Sequence, residues 1–262
     1  MSAPRDHLKY QILVRMKTLN QLAGQSLGIA LALLSAPSFA GAPSGRIFVA
    51  TDAGVYQNVR AFDSLSQAET SSVVPYESLY RGGVRVAAGD LNGDGIVDII
   101  TGSGTGASHV KAFSGRDGSV LHFSFPYGDG FLGGIYVATG DVNGDGVDDI
   151  VTGAGVGGGH VKVFDGKTGA ELASFFAFSP TFTGGVRVAT GDVDGDGWSD
   201  IITGSGAGSA HVKVFSGRSG AEIRSFAPYD ARIDGGVSSR PVIWMGTGAR
   251  TLSPAMKLAV RR

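Results

Sequence analysis

The chain has 262 residues, with 22 Lys and Arg against 23 Asp and Glu, a net charge of −1, and no cysteine. The lack of cysteine excludes disulfides and Cys-based zinc sites, which leaves metal ions held through oxygen as the obvious staples. Glycine, at 43 residues, is about twice its usual share; it recurs at fixed steps between β-branched runs, which excludes a low-complexity chain and predicts an all-β one.

Residues 1–40 read as an export signal. Lys17 precedes the mostly apolar stretch Leu22 to Leu34, and Ser38-Phe39-Ala40 supplies small residues at the −3 and −1 sites, so cleavage is expected after Ala40. A start at Met16 would give a signal of ordinary length. The apolar run is shorter than the eighteen or so residues that span a bilayer, so no membrane span is expected once the signal is removed.

From Ile47 the chain repeats itself at a step of 51 residues. Gly82-Gly83-Val84 recurs as Gly133-Gly134-Ile135, Gly184-Gly185-Val186 and Gly235-Gly236-Val237. His109-Val110-Lys111 recurs twice, and Val59-Arg60-Ala61-Phe62 matches Val110-Lys111-Ala112-Phe113 one step earlier, which marks a degenerate first unit. Within one unit four β-patterned segments, Val84 to Ala88, Asp98 to Thr101, His109 to Phe113 and Val120 to Phe125, are separated by turns. Four strands in about fifty residues predict a β-propeller blade, whose sheet must stack on its neighbours to bury its faces. Blades are expected near 47–89, 90–140, 141–191 and 192–237. That makes an incomplete ring of about four blades, the last one truncated.

Each of three units carries a nine-residue acidic loop. The first runs Asp90-Leu91-Asn92-Gly93-Asp94-Gly95-Ile96-Val97-Asp98, and its equivalents start at Asp141 and Asp192. Side-chain oxygens fall at positions one, three, five and nine, and a hard cation takes six to eight such oxygens. The expected Ca²⁺ ligands are Asp90, Asn92, Asp94 and Asp98; Asp141, Asn143, Asp145 and Asp149; and Asp192, Asp194, Asp196 and Asp200. Position seven, Ile96, Val147 or Trp198, would contribute its backbone carbonyl. About three ions are expected, one per loop. An EF-hand also opens D-x-[DN]-x-[DN]-G, but it requires helices on both sides and a Glu at position twelve, where this chain has Thr101, Thr152 and Thr203.

Other features carry less. His109, His160 and His211 stand one per blade, which suits packing or a local hydrogen bond better than shared metal ligation. Gly153, Gly155 and Gly158 spell G-x-G-x-x-G, but strand pattern continues at Val161 to Phe164 where a dinucleotide site needs a helix. No G-x-S-x-G occurs, and no pair of unrepeated acids is arranged for catalysis.

After Val237 the pattern stops. No acid follows Asp234, and a calcium loop due at residue 243 is missing. The codons of Trp244 and Met245 are unique, and regrouping them by one base forces Asp-Gly. With permitted third bases, Arg240 to Pro254 regroups into a full loop ending Asp-Ile-Val-Thr-Gly. Residues 238–262 are therefore expected to be a frameshift product with no reason to pack.

The motif D-x-[ND]-G-D-G-x-x-D followed by [IV]-[IV]-T-G resembles the FG-GAP/VCBS repeats of integrin-α-type propellers, over about Ile47 to Val237. The G-G-[VI]-x-V-A-x-G-D and H-V-K-x-F elements are similar to repeats of large exported bacterial proteins. The resemblance implies a calcium-stabilised propeller that is secreted or at the cell surface, with no fixed activity, since this fold hosts many. The expected function is a non-catalytic binding or adhesion module for extracellular protein or glycan. The alternative is the propeller portion of an exported polysaccharide lyase or hydrolase. Between Gly41 and Val237 there are 22 acids and 13 basic residues, without the clustered Lys and Arg that nucleic acid requires.

Overall fold

The computed structural model describes residues 30–33, 45–208, 210–229 and 237. Most of the segment read as an export signal, the cleavage expected after Ala40 and the tail 238–262 expected to be a frameshift product lie outside the described residues. Four antiparallel four-stranded sheets follow one another along the chain, and among the described residues there is no helix. The first sheet is β1 (Ala30–Leu33), β2 (Arg46–Ala50), β3 (Val59–Asp63) and β4 (Glu69–Val73). The second is β5 (Val84–Gly89), β6 (Asp98–Ser103), β7 (Val110–Phe113) and β8 (Val120–Ser124). The third is β9 (Ile135–Gly140), β10 (Asp149–Ala154), β11 (His160–Phe164) and β12 (Glu171–Phe176). The fourth is β13 (Val186–Gly191), β14 (Asp200–Ser205), β15 (Val212–Phe215) and β16 (Glu222–Phe226).

Within each sheet the strands lie in chain order, the meander expected of a propeller blade, and the four blades do not close into a ring. Each sheet begins ahead of its acidic loop, at Val84, Ile135 and Val186, because the loop joins the first and second strands of one sheet. A unit drawn from Asp90 therefore cuts across a sheet. The last blade was expected to be truncated, but the fourth sheet carries all four strands, and Gly235-Gly236-Val237 opens a further unit after it. Of that unit, Val237 is described, its amide donating to the Ser205 carbonyl at 3.0 Å. Ala30–Leu33, inside the segment read as an export signal, pairs with β2 through Ala30 to Ala50 and Leu33 to Ile47.

The core lies between the sheets, in three separate layers. Phe48, Val59, Tyr76, Val84, Ile99 and Phe113 fill the first gap. Leu91, Ile100, Val110, Ile135 and Ile150 fill the second, and Val151, Val161, Val163, Val186, Ile201 and Phe215 the third. Strand alternation explains the division: side chains of Ile99 and Ile100 point to opposite faces of β6, as do Ile150 and Val151 of β10. With both faces covered, every residue of β6 and β10 is buried, the polar Asp98, Thr101, Asp149 and Thr152 included. On the fourth sheet Ile201 is buried against the third, whereas Ile202, on the face that no sheet among the described residues covers, is half-exposed.

Polar bolts cross the gaps. Tyr76 reaches from the end of the first sheet to lie 3.3 Å from Thr101 Oγ1 and 3.2 Å from the His109 carbonyl oxygen. Tyr127 repeats this with Thr152 Oγ1 and the His160 carbonyl, both at 3.1 Å. Phe178 occupies the third position and has no hydroxyl. Thr139 Oγ1 donates to the Ala88 carbonyl at 2.8 Å, and Thr190 Oγ1 to the Thr139 carbonyl, pinning adjacent innermost strands. Tyr127→Phe is expected to lower stability by about 1 kcal/mol, the usual net worth of one buried hydrogen bond. Urea unfolding of that variant measures the loss; Phe178→Leu, at the position that makes no such bond, controls for packing.

The three repeated histidines serve the sheets. His160 and His211 each place Nε2 2.8 Å from a serine hydroxyl, Ser174 and Ser225. His109 stacks on Tyr76 with ring centres 5.7 Å apart and meets Phe125 at 4.2 Å. Burial among these rings lowers the pKa of His109 and His160.

Candidate metal centre

Each acidic loop curls because two of its glycines take positive φ, +73° and +77° at Gly93 and Gly95, and +84° and +90° at Gly195 and Gly197. The curl turns successive backbone amides inward onto the first aspartate. Asp90 Oδ1 accepts from Gly93 N at 2.8 Å and Asp94 N at 3.1 Å, and its Oδ2 accepts from Gly95 N at 2.8 Å. Asn92 Oδ1 takes Asp94 N at 2.9 Å, and Asp94 Oδ1 takes Ile96 N at 2.8 Å. The second loop repeats the scheme through Asp141, Asn143 and Asp145. The third does so through Asp192, Asp194 and Asp196. Strands flank all three loops, as expected against an EF-hand, and Thr101, Thr152 and Thr203 at position twelve are buried strand residues donating to Lys111, Lys162 and Lys213 carbonyls.

Position nine has a second task. Asp98, Asp149 and Asp200 are 0%, 1% and 0% exposed. Asp98 Oδ2 accepts from Leu91 N and Oδ1 from Gly115 N, both at 2.9 Å, so the carboxylate ties the start of its loop to the turn between the third and fourth strands. Asp149 does the same with Val142 N, Asn143 N and Gly166 N, and Asp200 with Val193 N and Gly217 N. The turn must approach so closely that only glycine fits: a Cβ on Gly166 would lie 2.0 Å from the Asp148 carbonyl oxygen. These turn glycines were not among the expected site residues, although Gly115, Gly166 and Gly217 keep the 51-residue step. Burial raises the carboxyl pKa of Asp98 and Asp200 and pushes Asp149 up to about 6.

Adjacent loops touch. Asp148 and Ser199, at position eight, donate their amides to the carbonyls of Asp90 and Asp141 in the preceding loop, at 3.0 and 2.8 Å. Asp148 Oδ2 also accepts from Asp90 N at 2.9 Å. At position seven the side chain packs across the gap as well: a Cβ on Gly93 would meet Val147 at 3.2 Å, and one on Gly144 would meet Trp198 at 2.5 Å. Sequence reasoning assigned position seven its carbonyl alone, because contacts between loops are not written in the spacing within one loop.

Among the described residues, Asp192, Asp194 and Asp200 form a carboxylate cluster whose ligand oxygens all lie within 4.8 Å of one another. Asp196 stands outside that triad. In the other two loops Asn92 and Asn143 replace the middle acid. The donors are carboxylate and amide oxygens, the chemistry of a hard divalent cation, and each carboxylate oxygen that accepts one amide keeps a further lone pair for an ion. The residues therefore fit such an ion.

A meander of stacked blades, with acidic loops joining the first two strands of three of them, defines a repeat protein of the β-propeller class. Residues 90–152 and 141–203 match the FG-GAP-like repeat. Integrin alpha-V of Gallus gallus is 33% identical over 93 residues, covering 31% of this chain and 8% of that relative's length. Residues 90–203 of the chain thus carry FG-GAP-like repeats. A solved structure described as the mitotic checkpoint complex overlaps 70% of this chain and 49% of its own at 12% identity, with a TM-score of 0.49.

Proposed function

We propose that this protein is a calcium-stabilised extracellular binding or adhesion module without catalysis of its own. The observation that carries the proposal is the recurrence, in one register, of three oxygen-lined loops that also bridge neighbouring blades. Its likeness to FG-GAP-like repeats and to integrin alpha-V supports an adhesive role at or beyond the cell surface. The first ion would be held by Asp90, Asn92, Asp94, Asp98 and the Ile96 carbonyl. The second would take Asp141, Asn143, Asp145, Asp149 and the Val147 carbonyl, and the third Asp192, Asp194, Asp196, Asp200 and the Trp198 carbonyl. Bound calcium would supply positive charge to carboxylates that otherwise repel one another. The chain's own part is to hold those oxygens on glycine-curled loops and to pass the stiffness to the next blade through Asp148 and Ser199. Exposed rims of the blades would then present contacts to a protein or glycan.

Immobilised glycans and matrix proteins, probed with the purified chain in millimolar calcium and in chelator, test this reading. Binding is expected in calcium and lost in chelator; binding to none of them in calcium would overturn it.

One observation favours the enzymatic alternative, the propeller part of an exported polysaccharide lyase or hydrolase. Arg85 and Arg187 flank Tyr136 on three successive innermost strands, with guanidinium carbons 3.8 and 5.4 Å from the ring centre. Arg85 Nη1 is buried without a hydrogen-bond partner, and Arg187 Nη1 donates to the Val237 carbonyl at 3.1 Å. This breaks the repeat symmetry, since β9 carries Tyr where β5 and β13 carry Arg. Turnover of an acidic polysaccharide that falls at least tenfold in Arg187→Ala would favour that reading.

A further inference from the structure

The three loops differ in the one respect that governs competition for a cation. Arg116 Nε lies 2.9 Å from Asp94 Oδ2, and Lys167 Nζ lies 3.0 Å from Asp145 Oδ2. Both basic residues come from the turn between third and fourth strands, one 51-residue step apart, and both neutralise the aspartate at position five of their own loop. The guanidinium of Arg116 holds Asp94 below the usual carboxylate range. Arg218 is the next residue in that series, yet among the described residues Asp196 has no ion-pair partner. The Arg218 guanidinium instead lies 5.9 Å from the centre of the Trp198 ring.

Trp198 cannot easily swing away. Its ring is seated on Gly144 of the preceding loop, at a distance that a Cβ there would reduce to 2.5 Å, so the neighbouring blade fixes it where it draws the guanidinium off. The third loop also has Asp194 where the first two have Asn92 and Asn143. At its ligand positions it thus offers four carboxylates and, among the described residues, no basic side chain bound to them, whereas each of the others offers three at those positions, one already neutralised.

Resting on the calcium reading above, we infer that the loops load in a fixed order: the Asp192 loop fills first and tightest, and Arg116 and Lys167 are built-in competitors that weaken the other two. Affinity in oxygen-lined sites follows the charge count of the ligands, and a cation entering either of the first two loops must also displace a resident ammonium or guanidinium. The third site is expected to bind at least tenfold more tightly than either neighbour.

Calcium calorimetry on the full chain, in a Trp244→Phe background, tests the order, because Trp198 is then the sole tryptophan and its fluorescence reports the third loop. The expected result is a tryptophan signal saturating at about one ion per chain, at tenfold lower free calcium than the remaining heat. Arg116→Gln and Lys167→Gln should tighten the later sites severalfold and leave the tryptophan midpoint in place. Three sites of one common affinity, or an isotherm that neither glutamine variant shifts, would overturn the ordering while leaving calcium binding intact. Neither heat nor fluorescence change at millimolar calcium would sink the calcium reading, and the ordering with it.

Discussion

Chelation of calcium is expected to lower the melting temperature of this protein by roughly 15 to 30 °C. A ligand that binds only the folded state adds about 2.7 kcal/mol at one hundred times its Kd, so three filled loops add about 8 kcal/mol. For a domain of this size each kcal/mol moves the transition by about 2 to 4 °C. The blades give the effect its leverage, since the second and third loops lean on their predecessors through Asp148 and Ser199, and an emptied loop loosens two sheets. Thermal melts in millimolar calcium and in excess chelator measure the shift. Coincident curves would contradict the stabilising role.

The second large effect is expected at Asp149 and is independent of the ion. Asp149→Ala leaves the buried amides of Val142 and Gly166 and the part-buried amide of Asn143 without their acceptor, at about 1 to 3 kcal/mol for each buried unsatisfied donor. A total loss of about 3 to 5 kcal/mol is expected even in chelator. Asp145→Asn, at an exposed position whose carboxylate meets Lys167, should cost under about 1 kcal/mol in chelator. Its main effect should be on calcium affinity. Urea unfolding of both variants without calcium separates the two positions, and equal losses would show that position nine has no structural task of its own.

Much of this molecule could be read from residues alone. Short β-branched and aromatic segments bounded by turns gave β5 to β8 within a residue or two, most plainly at β6, where burial of every residue leaves little freedom in composition. Oxygen donors at positions one, three and five were equally plain, since their spacing is local to one loop. What escaped notice lies beyond the spacing within one loop. Trp198 over Gly144, Asp148 against Asp90, and Gly166 beneath Asp149 are contacts set by how blades or turns stack, and a constant step shows only that residues are equivalent, not which ones meet. The place of Ala30–Leu33 beside β2 was also hidden, because that segment carries the marks of an export signal and none of the repeat.

The layered cores also bear on synthesis. Sheets that bury apolar surface only against a neighbour leave a nascent chain with nothing to bury until Phe113 has emerged to close over Phe48 and Ile99. From then on every further blade is templated by one already folded, so the molecule grows with a direction, and the face last added is always the least protected, as the half-exposed Ile202 is among the described residues.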